Sequence, residues 1–104
     1  MEIDRKQGVV SESAVLVGVH LAGTRATDDT LEELSGLVET AGATVVGRVT
    51  QRRSTPDKTT YVGRGKLEQL EQMVSATEAD VVIFDNDLSP AQTRNLEQAL
   101  GVKV

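Results

Sequence analysis

Apolar residues along this chain fall into two kinds of run. Ala14 to Val19 (AVLVGV) and Val81 to Phe84 (VVIF) are short and nearly continuous, the pattern of strands buried on both faces. Elsewhere apolar positions recur at helical spacing. Leu31, Leu34, Val38 and Ala41 form one stripe, preceded by Thr27-Asp28-Asp29-Thr30 and followed by Gly42. Acids near the positive helix start and glycine just past the end suit the two termini. A second helix is predicted from about Lys66 to Thr77, with Leu67, Leu70, Val74 and Thr77 on its inner stripe. The third is announced by Ser89-Pro90-Ala91-Gln92: Ser at N-cap, Pro at N1 and Gln at N3 form a strong start signature. Leu96, Ala99 and Leu100 face inward, and Gly101 ends it.

Between these lie a second strand, Ala43 to Arg53, and the start of a fourth, Val102-Lys103-Val104. Residues 1–12 read as a flexible lead-in and 13–104 as one α/β domain. The alternation predicts a small doubly wound parallel sheet of about four strands with three helices. The two most apolar strands belong in the centre, and right-handed crossovers favour the order 2-1-3-4. The second strand is long for its neighbours, about 36 Å at ~3.3 Å per residue. Its end is expected to overhang the sheet, turn at Ser54-Thr55-Pro56-Asp57, and return antiparallel through Lys58 to Val62 as a protruding basic β-ribbon. The chain stops three residues into the fourth strand, so it reads as a piece of a longer protein.

Charge sharpens this picture. The chain carries a net charge of −5, yet the 19 residues from Arg48 to Lys66 hold six of its 11 Lys and Arg and one acid, Asp57, or +6 − 1 = +5. The other 85 residues sum to −10. A basic island on an acidic domain points to a phosphate-rich partner, with Arg48, Arg52, Arg53, Lys58, Arg64 and Lys66 as the contacts. Arg48 and Arg52 share one strand face; Arg53 lies on the other. Tyr61 and Phe84 are the only aromatics, which disfavours single-strand binding on stacking platforms. No stretch approaches the ~18 apolar residues of a membrane span, and the polar N-terminus is unlike a signal peptide. The expected location is the cytoplasm.

Catalytic signals are sparse. Gly63-Arg64-Gly65-Lys66 opens a helix where free N–H groups favour an anion, but a P-loop requires Gly at 60 and Ser or Thr at 67, where this chain has Thr and Leu. With no Cys and one histidine, His20, a metal site would need carboxylates such as Asp85 and Asp87, at the switch point of the sheet; ordinary loop polarity is the simpler reading. No nucleophile–base pair is visible, so the expectation is no catalytic and no metal residue.

Two blocks carry a family resemblance. Thr60-Tyr61-Val62-Gly63-Arg64-Gly65-Lys66-Leu67-Glu68-Gln69-Leu70 resembles the YxGxGKxxEL block of the N-terminal domain of the HflX family. Asp85-Asn86-Asp87-Leu88-Ser89-Pro90-Ala91-Gln92-Thr93-Arg94-Asn95-Leu96-Glu97 is similar to its second block, near DxELSPxQxRNLE, with Asp87 where Glu is frequent. The resemblance covers roughly residues 14–104. Its motif residues are Tyr61, Gly63, Gly65, Leu88, Ser89, Pro90, Gln92, Arg94 and Asn95. HflX proteins are GTPases that bind the large ribosomal subunit and split stalled ribosomes under stress. The resemblance therefore implies an accessory domain that touches ribosomal RNA and influences a GTPase domain beyond this chain, after a helical linker. GTP and Mg would belong to that domain, with no cofactor on this one. Two alternatives stand beside RNA contact. In one, the domain docks on its own GTPase domain through Gln92, Arg94 and Asn95. In the other, it binds a small ligand or ATP at the carboxyl edge of the sheet.

Overall fold

A computed structural model describes residues 2–4, 9–23 and 27–104, with the side chains of 12–23 and 30–104. The segment read as a lead-in contains two short strands, β1 (Glu2–Asp4) and β2 (Val9–Ser11), paired antiparallel with Glu2 opposite Ser11. The helical and sheet body follows as β3 (Ser13–Leu21), α1 (Thr27–Thr40), β4 (Thr44–Arg53), α2 (Arg64–Thr77), β5 (Val81–Phe84) and α3 (Pro90–Leu100). The start signal read at residues 27–29 coincides with the first turn of α1, but those side chains lie outside the described residues.

The main sheet has the order β4-β3-β5, and both pairings are parallel. It has three strands rather than the expected four. Val102, Lys103 and Val104 follow Gly101, whose left-handed conformation (φ 73°) ends α3. They reach β5 through a single parallel bridge between Lys103 and Val81, where the Val82 N–H donates to the Lys103 carbonyl at 2.9 Å.

The protruding ribbon is also absent. β3 extends beyond its apolar run to Leu21 and pairs with β4 as far as Arg53, so the long strand has a partner along its length. One irregularity, between Ala14 and Val15, absorbs the extra residue of β4 at Val46. Residues 58–62 do not return along β4. Instead Asp57 and Tyr61 bridge each other and close a tight loop.

Helices cover both sheet faces, as a doubly wound sheet requires. The side under α1 buries Ala14, Leu16, Leu31 and Val38. The side under α2 and α3 buries Val15, Val17, Val19, Val82, Leu70 and Leu96, together with Tyr61 and Val62 from the loop. Leu16, Leu31, Leu70 and Leu96 are fully buried, each contributing about 2–3 kcal/mol of apolar transfer. The core is larger on the two-helix side, and that side carries the loop.

Candidate functional site

The site is built where the two sequence blocks meet. The loop closes through paired backbone bonds: the Asp57 N–H donates to the Tyr61 carbonyl, and the Tyr61 N–H to the Asp57 carbonyl, both at 3.0 Å. Within it, Asp57 Oδ1 accepts from the Thr59 N–H at 2.8 Å and the Thr60 N–H at 3.1 Å. These bonds, with the Thr60 N–H first, hold the Asp57 carboxyl below its ordinary range; Arg53 adds to the effect and partial burial opposes it. Tyr61 adopts a left-handed conformation (φ 68°) and is buried, with its ring edge-on to Phe84 at 6.3 Å.

Helix α3 grips this loop from outside. Ser89 and Gln92 form the expected capping box: Ser89 Oγ accepts from the Gln92 N–H at 3.1 Å, and Gln92 Oε1 accepts from the Ser89 N–H at 2.8 Å. That leaves the Gln92 amide nitrogen, which donates to the Asp57 carbonyl at 2.8 Å. One turn on, Asn95 Nδ2 donates to the Thr59 carbonyl at 3.0 Å. Gln92 and Asn95 are therefore occupied inside the domain. Arg94, between them in sequence, is exposed, and its side chain makes no hydrogen bond or ion pair among the described residues.

Helix α2 begins at Arg64, two residues before the expected start, with Gly63 as N-cap and no side-chain cap. An uncapped start leaves N–H groups directed at solvent or a ligand. Gln51 Oε1 accepts from the Gly63 N–H at 3.0 Å and so ties the loop to β4. A Cβ on Gly63 would fall 2.7 Å from Arg53 Nη1, so the guanidinium lies against this glycine.

The six basic candidates divide. Arg48 faces α1, where it donates to Glu32 Oε2 and Ser35 Oγ, both at 3.1 Å. Arg53 sits on the opposite sheet face, beside Gly63. Lys58 is exposed in the loop and Arg64 is exposed at the start of α2. Lys66 is half-buried and its Nζ donates to Gln69 Oε1 at 3.2 Å. Arg52 is exposed and, with His20, Ala22, Arg53 and Ser54, lines a shallow open cleft of about 340 Å³ at the carboxyl end of β3 and β4.

Between Asp85 and Asp87, Asn86 is the working residue. Its Oδ1 accepts from the Val19 N–H at 2.9 Å and its Nδ2 donates to the Val19 carbonyl at 3.0 Å. It extends the β3–β5 ladder past the end of β5. Among the described residues no group of three His, Asp or Glu could hold a metal ion. Sequence reasoning missed Asn86 and Gln51. The signal for Gln51 was its alternation with Arg53 on one strand face; for Asn86, its place one register step beyond VVIF.

Residues 28–104 match the family described as GTP-binding GTPase N-terminal. The chain is 43% identical over 93 residues to a GTPase HflX of Caldanaerobacter subterraneus subsp. tengcongensis, covering 89% of this chain and 21% of that protein. It is 40% identical over 93 residues to the GTPase HflX of Escherichia coli K12, covering 89% and 22%. With the GTPase HflX of Thermofilum pendens it shares 36% over 104 residues, covering 100% and 23%. The chain thus spans about a fifth of the length of the curated relatives it matches.

Proposed function

From the premise that this chain belongs to the GTP-binding GTPase N-terminal family, as an N-terminal domain of the HflX type, we propose that it serves its GTPase as an accessory domain that grips the phosphate backbone of large-subunit ribosomal RNA. The contacts are Arg53, Lys58, Arg64 and Lys66, around the closed loop and the uncapped start of α2, with Arg52 at the carboxyl end of β4. One observation carries the reading. The motif residues Tyr61, Gln92 and Asn95 are spent on holding the loop in a single shape, which leaves the cations beside them outside. A preformed basic surface loses little freedom on binding. Because A-form RNA is recognised by shape and backbone, a fixed loop on an acidic body selects by fit rather than by charge alone.

The competing reading, docking on the GTPase domain through Gln92, Arg94 and Asn95, has to draw on two side chains that already bond to the loop. Co-sedimentation with purified large ribosomal subunits across a salt series separates the two. Salt-sensitive binding that falls on Arg53→Ala and Lys58→Ala supports RNA contact. Absence of binding at low salt would assign the affinity to the GTPase domain and leave this domain a positioning role.

A further inference from the structure

The bend between β4 and the loop has a use that RNA contact does not absorb. Ser54 and Thr55 are both exposed and lie outside any strand or helix. Arg52 and Arg53 precede Thr55 by three and two residues, and Pro56 follows it. Two arginines at this spacing are the substrate pattern that arginine-directed serine/threonine kinases read through their acidic pockets. β4 presents them in extended conformation up to Arg53, the form in which a peptide is read by pockets for successive side chains. The receiving chemistry is also in place. Arg53 Nε donates to the Thr55 carbonyl at 2.9 Å, so the guanidinium already lies against that residue. Arg52 and His20 line the adjoining cleft with it.

We propose that Thr55 is a phosphorylation site whose phosphate is captured by Arg53 and Arg52, withdrawing both from the basic surface. The γ-phosphoryl group of a nucleoside triphosphate passes to Thr55 Oγ1. The Oγ1–H bond and the bond from phosphorus to the nucleoside diphosphate oxygen break, an Oγ1–P bond forms, and the proton leaves to the kinase's base. A phosphothreonine brings about −1.5 to −2 charges and pairs with arginine through charge-assisted hydrogen bonds. The island's +5 falls to about +3. This regulation rests on the RNA-contact reading for its consequence, but not for the modification itself.

The test treats the purified chain with ATP and an arginine-directed serine/threonine kinase and locates the phosphate by mass spectrometry. The expected result is one phosphate on Thr55, retained in Ser54→Ala and lost in Thr55→Ala. Its second ionisation is followed by phosphorus NMR in chains given phosphothreonine at position 55 by semisynthesis, so that no variant depends on kinase recognition; it should lie lower in the parent chain than in Arg53→Ala or Arg52→Ala, because a nearby guanidinium favours the dianion. No incorporation, incorporation at Ser54, or a second ionisation indifferent to both arginines would overturn the proposal. Binding of the phosphorylated chain to large subunits should then weaken about tenfold at low salt, with a shallower salt slope; undiminished binding would overturn the regulatory step. If the unmodified chain fails to bind, the RNA reading falls, while the captured phosphate on Thr55 is still decided by mass and ionisation.

Discussion

At the scale of single residues, the least expected feature is the backbone of Tyr61. A bulky residue at φ 68° costs roughly 1–2 kcal/mol against the right-handed form, yet its ring is buried against Phe84. Glycine would relieve the backbone and remove the ring. Loss of a buried aromatic costs about 3–5 kcal/mol, and the edge contact adds ~0.5–1.5 kcal/mol, so burial wins over strain. Tyr61→Gly should therefore destabilise the domain by about 2–4 kcal/mol, read as a lower urea midpoint at unchanged slope. A stabilised variant would show that the ring holds nothing. The same residue explains a misreading. The returning ribbon was expected from the length of the second strand and the turn signal at Ser54-Thr55-Pro56-Asp57, and neither carries a sign of the left-handed backbone at Tyr61.

At the scale of elements, what was legible was local. The start of α3 could be read because Ser89, Pro90 and Gln92 satisfy the helix end by themselves. The central place of β3 followed from its unbroken apolar run, whereas β5, expected in the interior as well, is an edge strand whose outer side meets, among the described residues, only the Lys103 bridge. What could not be read depended on residues far apart in sequence. The length of β3 is set by its pairing with β4 through Leu21 and Arg53, although His20 interrupts its apolar pattern. The loop's shape is fixed by Gln92 and Asn95 from another element. The end of β5 is of this second kind, since Asn86 continues a four-residue strand by one rung through the Val19 backbone. Two bonds to a partly buried backbone rung are worth ~1–3 kcal/mol together. Asn86→Ala should speed hydrogen exchange at the Val19 amide about tenfold or more, while Val15, deeper in the ladder, changes much less. Equal exchange in both proteins would mean that the rung does not depend on Asn86.

At the scale of the whole molecule, the fold sorts the basic island by sheet face. In sequence its six cations form one island; in space Arg48 is paired with Glu32 on the α1 side, whereas Arg53 and Arg64 lie on the α2 side and at its start. Alternation along β4 made the division of Arg48 from Arg53 legible. The partner that takes Arg48 out of play sits on α1, sixteen residues upstream, and no local pattern marks it. The consequence is a division in salt dependence. Each cation that meets an RNA phosphate contributes ~0.7–0.9 to the slope of log affinity against log salt. Arg53→Ala, Lys58→Ala and Arg64→Ala should each lower the slope by about that amount. Arg48→Ala should leave it unchanged and cost at most about 1 kcal/mol of stability, as expected for a half-exposed ion pair. Slopes measured for the four variants on large subunits decide the matter. If Arg48→Ala lowers the slope as much as the others, the binding surface wraps both faces of the sheet and the loop is not its centre.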